Sequence, residues 1–162
     1  MKKMLFSILL FLGVIASIQA QEIATNAIGI RVGDNDGFGT EVNYQRAIGD
    51  NNRVELGLGW RSATNFNAVR LTGLYQWVWN LTGDFNWYVG AGVAAGVFDF
   101  DDQFNNRNLN EFFLNAVGDI GIEYNFDFPL LLSLDFRPEI GAINDIDDGL
   151  EFDIALGIRY QF

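Results

Sequence analysis

The sequence predicts an all-β fold, an eight-stranded antiparallel up-and-down transmembrane β-barrel. Apolar and polar residues alternate with period 2 through almost the whole chain after residue 20, which is typical of strands with two different faces. Clusters of Gly, Asn, Asp and Pro interrupt this alternation, as turns do between strands. No stretch shows a convincing helical period, so the pattern argues against helical and mixed fold classes.

The first four strands are each closed by a turn signal. The first keeps Ile28, Ile30 and Val32 on one face, and the third keeps Val54, Leu56, Leu58 and Trp60 on one face. The ranges and the turns that follow are 26–33 with "DNDG" at 34–37, 38–47 with "GDNN" at 49–52, 53–61 with "SATNFN" at 62–67, and 68–79 with "NLTGDF" at 80–85.

The last four strands are separated by two long connections and one short one. They are 86–98 before the acidic, Asn-rich connection at 99–111, 112–125 before "FDFP" at 126–129, 130–141 before "AINDIDDG" at 142–149, and 150–162. The final strand, "LEFDIALGIRYQF", has every second residue apolar from Leu150 to Phe162. Most of the eight segments reach the about 9–11 residues that a tilted strand needs to cross a bilayer.

Charged residues keep to one parity of these strands. Fourteen charges share it, and only Arg46, at a strand end, stands among the apolar residues. The fourteen are Arg31, Glu41, Arg53, Glu55, Arg61, Arg70, Asp119, Glu123, Asp135, Arg137, Glu139, Glu151, Asp153 and Arg159. In a soluble sandwich the charged face would meet water, whereas in a transmembrane barrel it would line the interior.

The identity of the cations and the small residues of the fifth strand favour the transmembrane barrel. After residue 20 the chain has no Lys, so every cation is Arg, which suits enclosed, bidentate pairing with carboxylates. The polar parity of the fifth strand holds Gly90, Gly92, Ala94 and Gly96. Such a face is a poor water-facing surface, but it leaves room for long side chains inside a narrow barrel.

Aromatic residues and loop lengths agree with this interpretation. If both termini lie on one side, aromatic residues collect at strand ends in two girdles, as at membrane interfaces. The predicted interface aromatics are Tyr44, Trp60, Trp77, Trp79, Trp87 and Tyr124, with Trp60 at the opposite rim from the others. Connections on the terminal side are short and the longest ones lie opposite, like periplasmic turns and outer loops.

The first twenty residues predict a secretory signal peptide, followed by a barrel domain at 21–162. Lys2 and Lys3 precede an apolar run at 4–15 and the small residue Ala20. A membrane anchor is the alternative, although the run is short for a spanning helix. The chain has no Cys, so no disulfide framework is expected, and twenty-one acidic residues argue against a nucleic-acid partner.

Three segments resemble a known group of membrane proteins. The terminal "IRYQF", with Tyr160 and Phe162 on the apolar parity, resembles the C-terminal β-signal by which assembly machinery recognises outer-membrane barrels. "WYVGAGVAAG" and "LLLSLDFRPEIG" resemble features of small eight-stranded OmpA/OmpX-like barrels of the porin-family superfamily. The resemblance covers the chain after residue 20 as a pattern, and only the terminal signal is specific. It implies a bacterial outer membrane, with its lipids, lipopolysaccharide and the barrel-assembly machinery as partners, and a monomer.

The interior of the predicted barrel is expected to be filled by a charge network. Eight strands enclose a space about wide enough for side chains to fill. The predicted members are Arg53, Arg61, Arg70, Arg137, Arg159, Glu41, Glu55, Asp119, Glu123, Asp135, Glu139, Glu151 and Asp153. The sequence therefore predicts a plugged lumen, with a structural or surface-interaction role for the protein. Passive, porin-like transport of small solutes or ions is the alternative.

An enzyme is not expected. Barrel enzymes that act on lipids use His-assisted Ser chemistry, and the chain has no His to activate Ser62, in a predicted loop, or Ser133. Asp135 and Glu139 could in principle perform acid–base work, although neutralisation by Arg explains them as well. No catalytic, cofactor-binding or metal-binding residue is predicted.

The acidic connections raise one further alternative. "DNDG", "DFDD" and "DIDDG" would place carboxylates on one rim, where they could hold Ca²⁺ or share Mg²⁺ with lipopolysaccharide phosphates. None has the full twelve-residue spacing of a calcium loop, so solvated acidic loops remain the simpler interpretation. Adhesion or partner binding by these loops is also open, and their sequences indicate no specificity.

Overall fold

The computed structural model describes residues 23–33, 39–63, 66–101, 108–143 and 150–162. These residues form eight strands, each paired antiparallel with the next, and β8 pairs with β1 to close a barrel. The strands are β1 (Asn26–Gly33), β2 (Thr40–Ala47), β3 (Asn52–Ala63), β4 (Phe66–Thr82), β5 (Phe85–Asp101), β6 (Asn108–Asn125), β7 (Leu130–Ile143) and β8 (Leu150–Gln161). The predicted eight-stranded up-and-down barrel is confirmed. The predicted signal peptide at 1–20 lies outside the described residues.

No helix within the described ranges is long and apolar enough to cross a membrane. The strands of the barrel satisfy their main-chain groups by pairing with two neighbours each. In particular, Ile28 of β1 pairs with Tyr44 of β2 on one side and with Tyr160 of β8 on the other. Closure removes both sheet edges, which would otherwise leave unpaired N–H and C=O groups costing several kcal/mol each in hydrocarbon.

Three strands extend farthest beyond their predicted ends. β4, β5 and β6 have 17, 17 and 18 residues. The prediction of one long connection at 99–111 is therefore wrong, because Asp99 pairs with Asn110 and the strands continue to Asp101 and from Asn108. Asn and Asp have low strand propensity, so they hid an extension that pairing across the hairpin stabilises. Ser62, which was expected in a loop, lies within β3, because pairing across the hairpin extends this strand too.

The register of the strands sets the width of the barrel. We step from Ile28 to its paired residue on the next strand, and repeat this around the barrel. The path passes through Tyr44, Leu56, Gly73, Val93, Ala116, Ile140 and Leu150. Ile28 itself pairs with Tyr160 of β8, ten residues along that strand from Leu150, so the shear is ten. With a rise of about 3.3 Å per residue and about 4.8 Å between strands, this shear tilts eight strands by about 40°.

Burial in this barrel is inverted relative to a water-soluble protein. Outward-facing Leu71 and Ile154 are 57% and 59% exposed, while Arg137 and Arg159 are 0% exposed. On β5 the outward residues are apolar from Trp87 to Val97, and the ten residue-to-residue steps between them span about 25 Å at this tilt, the height of a lipid-facing band. The apolar face therefore meets lipid and the charged face is enclosed.

Backbone pairing between β6 and β7 is interrupted beside Pro138, apart from a register shift at Leu114/Asn115. It passes from Val117–Glu139 to Ile120–Phe136 and omits Gly118 opposite Pro138 and Asp119 opposite Arg137. Proline has no N–H, so the carbonyl of Gly118 lacks the donor that any other residue at position 138 would supply. Gly118 has no side chain to cover the gap, and a Cβ there would lie 3.0 Å from Cγ of Pro138.

Replacing Pro138 by Val is expected to stabilise the folded barrel by about 1 kcal/mol, because a restored N–H satisfies a carbonyl at membrane depth. Urea titration of the protein folded in phospholipid vesicles measures the change. Pro129, in the exposed turn before β7, provides the matched control, and Pro129→Val should produce no comparable gain. Equal stability of Pro138→Val and the wild type would show that water or a neighbouring group already satisfies this carbonyl.

Candidate functional site

The enclosed space holds a network of ion pairs with Glu55 at its centre. One carboxylate oxygen of Glu55 accepts a hydrogen bond from Nη2 of Arg137 at 2.5 Å. The other oxygen accepts from Nη2 of Arg159 at 3.3 Å, and from the amides of Gln45 at 2.5 Å and Gln76 at 3.4 Å. Glu55 is 1% exposed, so the donors compensate a charge removed from water.

Arg137 links strands on opposite sides of the barrel. Besides Glu55, its Nη1 donates to Glu41 of β2 at 3.2 Å. Its Nε lies 3.5 Å from a carboxylate oxygen of Asp119 and 3.6 Å from one of Asp135. One guanidinium from β7 thus faces carboxylates of β2, β3, β6 and its own strand, which makes it the principal tie across the lumen.

The terminal end of the lumen is filled around Arg53 and Arg159. Arg53 pairs with Glu123 at 2.8 Å, donates to Gln76 at 2.5 Å, and lies over the ring of Tyr88 at 4.8 Å. Arg159 donates to Asn43 at 3.0 Å and to the hydroxyl of Ser133 at 2.6 Å. Arg53 and Arg159 are each at most 1% exposed, so this end of the barrel is closed by side chains.

The opposite end is held by Arg31 and Arg70. Arg31 donates to Asp135 at 2.5 and 2.8 Å and to Asp153 at 2.6 Å. Arg70 donates to Glu139 and to the hydroxyl of Thr72. Asp153 remains partly accessible, with 18% of its side chain exposed, so this end is where the network meets the barrel mouth.

Glycine makes room for these long side chains, as the sequence predicts. A Cβ on Gly57 would lie 2.4 Å from the carboxylate of Glu41. A Cβ on Gly121 would lie 2.5 Å from the ring and hydroxyl of Tyr88. Any larger residue at these positions would displace a group that the network or the plug uses.

The wall formed by β4, β5 and β6 fills its share of the lumen with apolar side chains. Leu74, Ala94 and Val117 form a buried cluster, with 2%, 0% and 3% exposed. Two small recesses in the described part of the lumen each hold about 10 Å³, which is close to the space one water needs. One lies beside Gln45 and Arg53 at the terminal end, and the other beside Arg31 and Asp153.

The enclosed charges do not balance. Among the described residues the lumen holds five arginines and seven carboxylates, and every one of the five arginines is ion-paired. The arginines are Arg31, Arg53, Arg70, Arg137 and Arg159, and the carboxylates are Glu41, Glu55, Asp119, Glu123, Asp135, Glu139 and Asp153. The surplus is acidic, so the loss of one guanidinium would leave several carboxylates facing each other.

The structure brings together all but two of the predicted network residues. Arg61 and Glu151 are exposed instead of enclosed. Both have the inward parity but lie beyond the pairing that the described residues show, in which β2 pairs with β3 as far as Trp60 and β1 pairs with β8 as far as Ala155. Parity predicts a face, whereas enclosure also requires a strand opposite.

Sequence reasoning placed Arg31 on the inward face but left it out of the predicted network. It also missed the neutral partners, which lie on the same parity: Asn43, Gln45, Thr72, Gln76, Asn86, Tyr88 and Asn115. Their inward parity was the available signal, since a buried amide or hydroxyl beside a guanidinium is a hydrogen-bond partner.

The enzymatic and metal-binding alternatives find little support in this geometry. Ser133 is 2% exposed and accepts a hydrogen bond from Arg159, while Asp135 and Glu139 are paired with Arg31 and Arg70. In the part of the chain that the structure describes, no three Asp, Glu, His or Cys side chains are grouped to hold a metal ion. The acidic stretches "DNDG", "DFDD" and "DIDDG" lie wholly or partly outside it, so the calcium hypothesis remains untested.

The predicted interface aromatics lie near the strand ends, with their rings on the outer face. Trp79 stacks on Trp87 with centroids 4.7 Å apart, and Trp77 packs edge-on to Tyr75 at 4.8 Å. Tyr124 packs against both Phe85 and Phe126, and the hydroxyl of Tyr44 donates to Asn26 at 2.6 Å. Trp60 is 50% exposed toward the other end. Tyr160 and Phe162, the predicted assembly signal, are exposed and stacked on each other.

Closed topology, an apolar outer face, girdles of aromatic side chains and an ion-paired interior together define an eight-stranded transmembrane β-barrel. Solved structures of small outer-membrane barrels share this fold. The N-terminal barrel domain of Pseudomonas aeruginosa OprF aligns with a TM-score of 0.67 at 15% identity, over 86% of this chain and 100% of that one. Neisserial surface protein A aligns with a TM-score of 0.60 at 12% identity, over 85% and 94%.

The attachment invasion locus protein Ail of Yersinia pestis has the same architecture. It aligns with a TM-score of 0.58 at 14% identity, over 86% of this chain and 97% of Ail. No protein-family model and no curated protein matches the sequence. At these identities the similarity establishes the fold, and the function has to be argued from the site.

Proposed function

We propose that this protein is a non-enzymatic, non-conducting barrel of the bacterial outer membrane, with a structural or surface-interaction role. The observation that carries the proposal is the plug. Arg53 and Arg159 at the terminal end of the lumen, and Arg137 farther along it, are each at most 1% exposed and are tied to carboxylates on other strands. A pore needs a continuous aqueous path, and a filled cross-section excludes one.

The wall supports the location. Its lipid-facing band and its fold, shared with outer-membrane barrels, fit that membrane. The short turns at 48–51, 83–84 and 126–129 then face the periplasm, and the connections at the other end face outward. Exposed Tyr160 and Phe162 are available to the barrel-assembly machinery from the membrane side. The outward connections are where contact with lipopolysaccharide or a surface partner would occur.

Planar-bilayer recording tests the proposal directly. The purified protein, folded in detergent and shown to be folded by heat-modifiable gel mobility, should insert without producing current steps. The triple variant Arg53→Ser, Arg137→Ser, Arg159→Ser removes all three plugging guanidinium groups and supplies the positive control, because folded barrels of this variant should conduct. Reproducible current steps from the wild type would instead establish passive transport of small ions.

A further inference from the structure

Arg46 is an isolated cation on the outer face of the wall. Among the strand residues whose side chains the structure describes, it is the only charged one with outward parity, and Asp99 and Asp101, which share that parity on β5, lie toward the opposite end of the barrel. Its side chain is exposed, and its one contact in the described structure is a 3.4 Å hydrogen bond from Nη1 to the amide oxygen of Asn26. Most of its five N–H donors are therefore available to a ligand.

The surroundings of Arg46 place it at the level of the lipid headgroups. On its own strand, Tyr44 faces the same way and shares the oxygen of Asn26 with it. On one side, backbone hydrogen bonds of 3.1 and 2.9 Å join Asn26 to Phe162, next to the stacked Tyr160. On the other side Arg46 pairs with Val54, which pairs with Tyr75. Tyrosine and tryptophan girdles lie where hydrocarbon meets headgroups.

The charge distribution at this end makes the position distinctive. The exposed turn residues Asp50, Asp84 and Asp127 are acidic, and none of them forms an ion pair with Arg46 among the described residues. The acidic turns repel anions, whereas a guanidinium presents parallel N–H donors that match two phosphate oxygens. An anionic group at this rim is therefore attracted to one point on the wall.

We propose that Arg46, assisted by Asn26 and the hydroxyl of Tyr44, binds the phosphate of one glycerophospholipid in the leaflet on the short-turn side. The acyl chains would then lie along the apolar outer face, over Val42 and the neighbouring Ile28 and Ile30. This inference rests on the membrane location and orientation proposed above. It adds a specific lipid site to a wall that otherwise contacts lipid through apolar surface alone.

Native mass spectrometry of the folded protein in a non-ionic detergent tests the site. Dioleoyl-phosphatidylglycerol should be retained about tenfold more tightly than dioleoylglycerol, which has the same chains and no phosphate. Arg46→Gln should weaken phosphatidylglycerol binding about tenfold, equal to about 1.4 kcal/mol, and Arg46→Lys should restore part of it. Arg61→Gln, which removes an exposed cation at the opposite end, should bind as the wild type does.

Two results would overturn the inference. Equal phosphatidylglycerol binding by Arg46→Gln and the wild type would remove Arg46 as the ligand, and preferential retention of lipid A would assign the site to the other leaflet. Heat-modifiable mobility of each variant shows that it is folded. A folded barrel without lipid selectivity would thus contradict this site alone, whereas a chain that stays soluble and folded without detergent would contradict the proposed function.

Discussion

Replacing Arg137 by Gln is expected to lower the free energy of unfolding by about 3–5 kcal/mol, the largest loss we predict for one lumen residue. The substitution leaves Glu41 without its guanidinium and Glu55 with Arg159 alone, and it removes a cation beside Asp119 and Asp135. Carboxylates then face one another in a space that excludes water. Urea titration in phospholipid vesicles, followed by tryptophan fluorescence, measures the loss.

Arg61→Gln is the matched control for Arg137→Gln, because it removes the same guanidinium from an exposed position. Its effect should stay within about 0.5 kcal/mol. Adding Glu41→Gln to Arg137→Gln should recover part of the stability, since it removes a carboxylate that has lost its guanidinium partner. If Arg137→Gln and Arg61→Gln were equally stable, Arg137 would not hold the barrel walls together.

Replacing Leu56 by Arg is expected to destabilise the inserted barrel by about 2–4 kcal/mol, because the guanidinium would enter hydrocarbon near mid-membrane. Leu56 is 50% exposed on the outer face, four residues from Trp60 toward one rim and four from Asn52 at the start of β3. Its neighbours in the register are Tyr44 and Gly73. Equilibrium folding into vesicles of defined thickness measures the change.

Leu56→Arg distinguishes a barrel whose apolar outer face contacts lipid from a soluble barrel whose outer face contacts water. In a soluble barrel an exposed leucine already meets water, and arginine there would be neutral. Asp84→Arg, in the exposed turn between β4 and β5, is the control and should insert as well as the wild type. A Leu56→Arg protein as stable as the wild type would contradict a lipid-facing outer surface.

Alternation in the sequence was enough to assign residues to the two faces of the wall. A strand turns each successive side chain to the opposite side, so parity alone assigns Arg137 and Glu55 to one face and Leu56 and Leu71 to the other. The absence of Lys and the glycines opposite long side chains then favoured an enclosed charged face. These signals are local, and they suffice because every strand repeats the same constraint.

Strand ends and enclosure were harder to predict. The extension of β5 and β6 to Asp101 and from Asn108 depends on pairing between segments whose own strand propensity is low. Arg61 and Glu151 have the parity of lumen residues, yet each lies beyond the described pairing of its strand with a neighbouring strand. Neither the length of a strand nor its enclosure in the lumen can be predicted from the residues of that strand alone, because both depend on the neighbouring strands.

The sequence determined that this chain would build a wall with one apolar and one charged face, because side-chain alternation follows from the geometry of a single extended strand. Only the closed tertiary structure decided which charges meet. Arg137 reaches Glu41 across 96 positions of sequence because a shear of ten brings their strands to the same level of the lumen. Ion pairing acts over a few ångströms in space, and barrel closure sets those distances.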